Sequence, residues 1–482
     1  MSIFNKYEAT IGLEIHAQLL TNTKAYSSDE NIYGAKPNSK TCPVSLGHPG
    51  TLPVSNTKVI EYAVRMGIAV GAEIRKRNEY ARKNYFYADL PKGYQITQDT
   101  TPICTGGYIE IKDKDGNVKK INITRIHMEE DAGKSIHDLD PFFTLVDLNR
   151  AGVPLIEIVT EPEINSSIEA YNYIQEIRKL IRYIGICDGN MEEGSLRCDA
   201  NVSVRIKGEK EFGTKVEIKN MNSSSNVKKA IEYEINRQIE LLEQGEVVTH
   251  ETRSYNATSS KTISMRHKEE ANDYRYFPEP DLPPIKITEQ YIKEIKKTLP
   301  PLPKQLFKKF TSEFCLSDYD TNILIEEKEI ALYFLEITKY NKNYKLIANM
   351  IIGPIKAYLN EYAININDLK TSPKNISNLI NLIDEGKVSN SVATSKIFPI
   401  MIQTNLTPIE IAKNNNWIQD SDMKSLLEFI KQSISKYPEK VDEYKSGKKG
   451  LIGLFMGEIM KLSKGKADPK IANQLLKNEL EK

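Results

Sequence analysis

The chain has 482 residues, more than one ordinary hydrophobic core fills, so several domains are expected. With 40% hydrophobic and 27% charged residues it reads as globular, and 66 Lys+Arg against 65 Asp+Glu exclude binding to nucleic acid through net charge, so any such surface is local. Five scattered cysteines exclude a disulfide framework and point to a reducing compartment, and with no apolar signal core and no membrane-length run the cytoplasm is the expected location, with no membrane partner.

Residues 7–18 read as a strand on which Glu14 and His16 share a face opposite Leu13 and Ile15. Such a pair is an ion pair or two metal ligands, and taken alone the ion pair is expected. Cys42 and His48 lie in a loop without the second thiol of a zinc site or the third group that would orient a nucleophile's base. A helix is predicted over 56–71. The run 82–96 interleaves basic and aromatic side chains, which either stack bases and hold phosphates or pack as a loop. Residues 107–131 predict a hairpin turning at Lys114-Asp115-Gly116. Its second arm ends in Glu129-Glu130-Asp131, three successive acids that call for a cation. Gly133-Lys134-Ser135 mimics the end of a P-loop, but the motif's first glycine would fall on Met128, which excludes a Walker-type site.

Glu157 is embedded in Leu155-Ile156-Glu157-Ile158-Val159, and a carboxylate in an apolar run needs a structural Arg or Lys, or a metal. A helix is predicted over 167–184. From Ser195 the chain alternates, with Leu196, Cys198, Ala200, Val202 and Val204 on one face and Arg197, Asp199, Asn201, Ser203 and Arg205 on the other. Lys215, Glu217 and Lys219 repeat the split. One such strand alone would be half-solvated; several together predict polar faces lining one shared cleft. A long amphipathic helix follows at 225–243. Prolines clustered at 278–284 close this half, and from 299 onward helical patterns predominate, with a second break between Pro399 and Pro408. The expected fold class is therefore α+β followed by all-α segments. The expected domains are 1–295, 296–405 and 406–482. In the last, Lys445-Ser446-Gly447-Lys448-Lys449-Gly450 opens a basic helix suited to a phosphate backbone, although a solvated lysine face is the commoner form of such a run.

Six blocks carry a resemblance: Ile11–His16, Arg82–Tyr87, His127–Ser135, Asp147–Arg150, Met191–Asn201 and Asp273–Asp281. Together they resemble the GatB family, the B subunits of tRNA-dependent amidotransferases. Ser45 stands where many members have a second cysteine, which argues against zinc at Cys42. The resemblance implies a cradle-like α+β domain with a mainly antiparallel sheet, then an all-α helical domain, then a small α-helical YqeY-like tail that binds tRNA. It implies conversion of mischarged Glu-tRNA(Gln) or Asp-tRNA(Asn) to Gln-tRNA(Gln) or Asn-tRNA(Asn). ATP and Mg2+ are the implied cofactors. The implied partners, in a heterotrimer, are the amidase or A subunit, which hydrolyses glutamine, together with the small C subunit. By resemblance, Glu14, His16, Glu130 and Asp199 are catalytic and, with Glu157, hold the metal, although alternation puts only one of Glu129 and Glu130 on the metal's face and the sequence leaves open which. Arg197, Arg205, Lys215 and Lys219 are the expected nucleotide contacts, and Lys83 and Tyr85 line the ammonia path. Lys448, Lys449, Lys461 and Lys464 are the expected tRNA contacts. Two other classes fit the same residues: a stand-alone metal-dependent carboxylate–amine ligase, and a non-enzymatic tRNA-binding scaffold.

Overall fold

The computed structural model describes residues 6–265, 274–419, 423–463, 467 and 469–481. It divides into two compact units, Met1–Leu302 and Pro303–Lys482. In the first unit the strands are β1 (Tyr7–Gln18), β2 (Glu73–Ile74), β3 (Arg77–Asn78), β4 (Ala81–Asn84), β5 (Tyr94–Thr97) and β6 (Cys104–Thr105). They continue with β7 (Tyr108–Lys112), β8 (Val118–Glu130), β9 (Lys134–Ile136), β10 (Leu145–Asp147), β11 (Pro154–Thr160) and β12 (Leu196–Ile206). The remainder are β13 (Val216–Lys219), β14 (Glu251–Asn256), β15 (Lys261–Ser264), β16 (Phe277–Pro278) and β17 (Ile285–Lys286). The helices are α1 (Thr57–Val70), α2 (Ser167–Tyr183), α3 (Ser224–Glu243) and α4 (Glu289–Thr298).

A ten-stranded sheet runs in the order β15-β14-β13-β12-β1-β11-β8-β6-β2, with β7 also paired to β8. All its pairings are antiparallel except β13 with β14. The alternation of β1 and β12 is the reason the sheet has two unlike faces. Ile11, Leu13, Ile15, Cys198, Ala200 and Val202 are buried on one side, where α1, α2 and α3 pack. Those helices start where the sequence supplies caps: Ser166 accepts from the Glu169 amide and Ser223 from the Asn226 amide. The other face stays polar. Beside it, β16, β4 and β5 form a small separate sheet.

One irregularity sets what the polar face contains. In β8, Arg125 pairs with Val159 but Ile123 pairs with Thr160, so Thr124 is an extra residue, a β-bulge. Upstream of it Ile121 and Ile123 are buried in the core; downstream it is Ile126 and Met128. The bulge thus changes the phase of the strand and turns Arg125, His127 and Glu129 to the polar side.

The second unit is helical among its described residues: α5 (Pro303–Ser312), α6 (Asp318–Leu324), α7 (Lys328–Ile337), α8 (Tyr344–Met350), α9 (Lys356–Tyr362), α10 (Pro373–Asp384) and α11 (Asn390–Val392). These are followed by α12 (Phe398–Gln403), α13 (Pro408–Asn414), α14 (Met423–Lys436), α15 (Pro438–Lys445), α16 (Ile452–Leu462) and α17 (Pro469–Glu481). Pro354, which has no N–H to donate, sits in a π-helical turn, Ile351–Ile355, that links α8 to α9. The α14–α17 segment has its own apolar core, including Leu426, Ile430, Phe455, Ile459 and Leu476.

The fold class expected from sequence is the one observed, an antiparallel-dominated α+β half and then helices. The division between units falls after Leu302 because α4 packs on α1 and so belongs to the sheet half. The expected division at 405–406 precedes α13, which packs on α10 and α12.

Candidate active site

Register brings the site together. His16 lies opposite Glu157 between β1 and β11, Glu157 lies opposite His127 between β11 and β8, and His16 lies opposite Arg197 between β1 and β12. Four strands therefore present His127, Glu157, His16 and Arg197 as one row across the polar face. The Glu157 carboxylate is shared: its Oε2 is 3.2 Å from His16 Nε2 and 3.3 Å from His127 Nε2. Glu129, two residues after His127, places Oε2 at 3.7 Å from the same His127 nitrogen. His127, Glu129 and Glu157 are only 3%, 4% and 7% exposed, so neighbours rather than water must balance their charges.

The electrostatics follow from that crowding. Burial alone pulls the His127 imidazolium down, but Glu157 and Glu129 outweigh it and raise its pKa to about 9. His16 is likewise raised by Glu157 against the cost of burial. Burial would raise Glu157, yet the two imidazoles hold it well below the usual carboxylate range. Glu14 goes the other way: burial, then Glu157, raises its pKa, and its one compensating hydrogen bond is from Asn201 Nδ2 at 2.8 Å. The expected Glu14–His16 pair is not made. Residues two apart on a strand are separated by about 7 Å, whereas cross-strand partners are about 5 Å apart, so His16 takes Glu157. Of the partners its sequence context suggested, a structural Arg or Lys or else a metal, no Arg or Lys pairs with Glu157 among the described residues; two imidazoles do.

Glu130 is not in this cluster. The phase set by the bulge turns it to the core side with Ile126 and Met128, where its Oε1 accepts from the Ile96 amide at 2.8 Å and from Lys92. The residue in the cluster is Glu129, which also accepts from Thr97 Oγ1 at 3.0 Å. Sequence reading left the choice between Glu129 and Glu130 open, and the member it missed is His127. The signal was there: two successive polar residues, Thr124 and Arg125, interrupt the alternation between Ile123 and Ile126.

The expected cations are mostly already engaged. Arg197 Nη2 is 2.9 Å from Asp131 Oδ2, which also accepts from Gln18 at 2.9 Å. Arg205 pairs with Glu8 at 2.7 Å. Lys219 bridges Asp199 at 2.8 Å and Glu217 at 2.9 Å, so Asp199 lies beside the row with a lysine on it. Lys215 precedes β13 and is exposed. Lys83 on β4 reaches toward Glu129, 3.8 Å away, and lies 5.1 Å from the centre of the Tyr274 ring. Tyr85 meets Tyr274 and Tyr87 edge-on, and burial raises its hydroxyl pKa. In the tail Lys448 pairs with Glu443 at 3.1 Å, Lys449 covers the Tyr444 ring at 4.3 Å, and Lys461 is exposed; Lys464 and Asp273 lie outside the described residues.

The cluster offers a divalent cation a suitable donor set. One ligand atom each from His127, Glu129 and Glu157 lie within 4.8 Å of one another, combining an imidazole with two carboxylates. His127 Nδ1 is buried without a hydrogen-bond partner among the described residues, and its Nε2 faces Glu157 and Glu129. No helix among the described residues is long and apolar enough to cross a membrane.

Comparison with known proteins converges with this geometry. Residues 9–293, which include every residue of the row, match the family model described as the GatB/GatE catalytic domain, and residues 332–480 match the GatB domain model. The chain is 48% identical over 485 residues to the B subunit of the aspartyl/glutamyl-tRNA(Asn/Gln) amidotransferase of Trichodesmium erythraeum, covering 99% of this chain and 98% of the relative. It is also 48% identical over 474 residues to the protein of that name from Clostridium novyi, covering 98% and 99%. For that of Thermodesulfovibrio yellowstonii the identity is 48% over 471 residues, covering 98% of each. With both domains matched in order and the similarity running from end to end, the chain belongs to the GatB family of amidotransferase B subunits.

Proposed function

We propose that this chain carries out the ATP-dependent step of transamidation on mischarged Glu-tRNA(Gln) or Asp-tRNA(Asn), working in the cytoplasm as one of three subunits, the others being the amidase and a small third chain. The side-chain carboxylate attacks the terminal phosphorus of ATP and ADP leaves. Ammonia then attacks the activated acyl carbon and phosphate departs. A carboxylate is a poor acyl donor, and phosphorylating one of its oxygens turns that oxygen into part of a phosphate leaving group. The observation that carries this reading is the row His127–Glu157–His16–Arg197 with Glu129 beside it, set on the polar face of the large sheet.

His127, Glu129 and Glu157 would hold Mg2+, with Glu14, His16 and Asp199 close by on β1 and β12. When bound, such an ion neutralises phosphate oxygens during phosphoryl transfer. The remaining work belongs to side chains. Glu157 fixes both imidazoles by accepting from each. Asp131 holds Arg197 through an ion pair at 2.9 Å, which keeps a guanidinium in the row and off Glu157. Lys83 and Tyr85 form the polar wall by which ammonia reaches Glu129, among groups that exchange hydrogen bonds with a neutral amine. The tail lysines Lys448, Lys449 and Lys461 contact the tRNA backbone.

The test is a heterotrimer reconstituted from all three subunits, with Glu157→Gln or His127→Asn in this chain. ATP-dependent amidation of Glu-tRNA(Gln) is expected to be lost. Amidation at the normal rate with both variants would overturn the reading, and ATP turnover stimulated by a free amino acid without tRNA would replace it with a stand-alone ligase.

A further inference from the structure

The charges on the cleft face do not all cancel. Among the described residues, four arginines lie on the strands of the large sheet, and three are ion-paired: Arg197 with Asp131 at 2.9 Å, Arg205 with Glu8 at 2.7 Å and Arg253 with Glu251 at 2.6 Å. The fourth, Arg125, is partly buried, and its side chain has no ion-pair, hydrogen-bond or ring partner among the described residues. A partly exposed guanidinium with no counter-charge, on a sheet whose other described arginines are all ion-paired, is left available to an incoming anion.

Its placement is defined by register. Arg125 lies opposite Thr105 of β6 on one side and Val159 of β11 on the other. The same row continues through Glu14 on β1 to Asp199 on β12. Along β8, Arg125 is two residues from His127 on the same face, about 7 Å away. The bulge at Thr124 is what turns it there; were Thr124 paired as an ordinary strand residue, Arg125 would face the core with Ile121 and Ile123. This guanidinium therefore sits next to the carboxylate–imidazole cluster, one row along.

We propose that Arg125 binds the phosphate groups of the nucleoside triphosphate and positions them against the cluster, an assignment that rests on the ATP-dependent reading above. Phosphate suits the site better than a carboxylate for a charge reason. An anion arriving beside Glu14, Glu129 and Glu157 is repelled unless it brings positive charge with it. A nucleotide arrives with a divalent cation those acids bind, leaving its outer oxygens for the planar fork of the guanidinium. A substrate carboxylate brings none.

The experiment uses the reconstituted heterotrimer with Arg125→Gln and Arg125→Lys, checked for assembly by elution volume. KM is measured separately for ATP and for Glu-tRNA(Gln). Arg125→Gln is expected to raise KM for ATP about tenfold or more, the size of one missing charge-assisted hydrogen bond, with KM for Glu-tRNA(Gln) unchanged. Arg125→Lys, which keeps the charge and loses the fork, is expected to fall between. A rise confined to the tRNA substrate, or no change in either constant, overturns the assignment. Absence of any ATP dependence in the unsubstituted complex instead defeats the reading on which it rests.

Discussion

Glu129 and Glu130 are adjacent acids with opposite surroundings, and substitution should separate them. Glu129 faces His127 and Lys83, while Glu130 fastens Lys92 and the Ile96 amide on the core side. Glu129→Gln is expected to lower amidation about a hundredfold or more at near-normal stability, as expected when a group at a metal-type site is altered. Glu130→Gln is expected to act first on the denaturation midpoint, by about 1–3 kcal/mol, with a smaller effect on rate. Paired chemical denaturation and amidation assays check both. Glu157→Ala belongs to a harsher class: it leaves two buried imidazoles without their shared carboxylate, for a loss of about 3–5 kcal/mol read from the same denaturation curves. At this scale the sequence showed which residue types were out of place, Glu14, His16, Glu157 and Asp199 on strands, but not their partners. Partners depend on register between strands far apart in the chain, such as His16 against Glu157, and no local pattern encodes that.

Elements were more legible than the pairings between them. The strand at 7–18, the helix after Ser166 and the helix after Ser223 follow from alternation and caps, which are local. The bulge in β8 was written in Thr124-Arg125 yet changes which acid is presented, because a period-two pattern transmits a one-residue insertion to every position after it. Packing between elements makes its own predictions. A Cβ at Gly67 of α1 would lie 2.5 Å from Cys104 Sγ on β6, so Gly67→Ala is expected to destabilise the sheet unit by about 1–3 kcal/mol in thermal or urea unfolding. In the helical unit, Asp320 on α6 accepts from Lys345 on α8 at 2.5 Å and from Ser317 at 2.7 Å, and Lys345 first, then Ser317, holds its carboxyl below the usual value. A lowered carboxylate contributes stability that is fully present above its unfolded pKa of about 3.9 and is lost as pH falls through the folded value. Asp320→Asn should therefore flatten the acid limb of the stability–pH curve of this unit while leaving its slope near neutrality unchanged.

For the molecule as a whole, the two compact units divide the chemistry. The candidate active site lies wholly within Met1–Leu302, and the lysine-bearing tail within Pro303–Lys482. Replacing Lys448, Lys449 and Lys461 together by Ala is expected to raise KM for Glu-tRNA(Gln) and to reduce the salt dependence of tRNA binding by up to about three units of slope, one for each phosphate no longer neutralised, with KM for ATP unchanged. Filter binding across a salt series checks this. The change from strands to helices near 299 was readable from composition alone, because β-rich and helix-rich sequences differ residue by residue. The end of the first unit at Leu302 was not, since it depends on α4 packing back onto α1.

The single extra residue at Thr124 also determines where this protein tolerates length changes. The turn at 113–117 lies beyond the end of the paired segment, so inserting or deleting residues there alters only a surface tip. Deleting Thr124 would only restore regular alternation and leave Arg125, His127 and Glu129 on the polar face, whereas deleting one residue between Ile126 and Glu129 would turn every residue after the gap to the opposite face. Descendants of this chain can therefore lengthen the hairpin or lose the bulged residue, but must hold the spacing downstream of the bulge fixed.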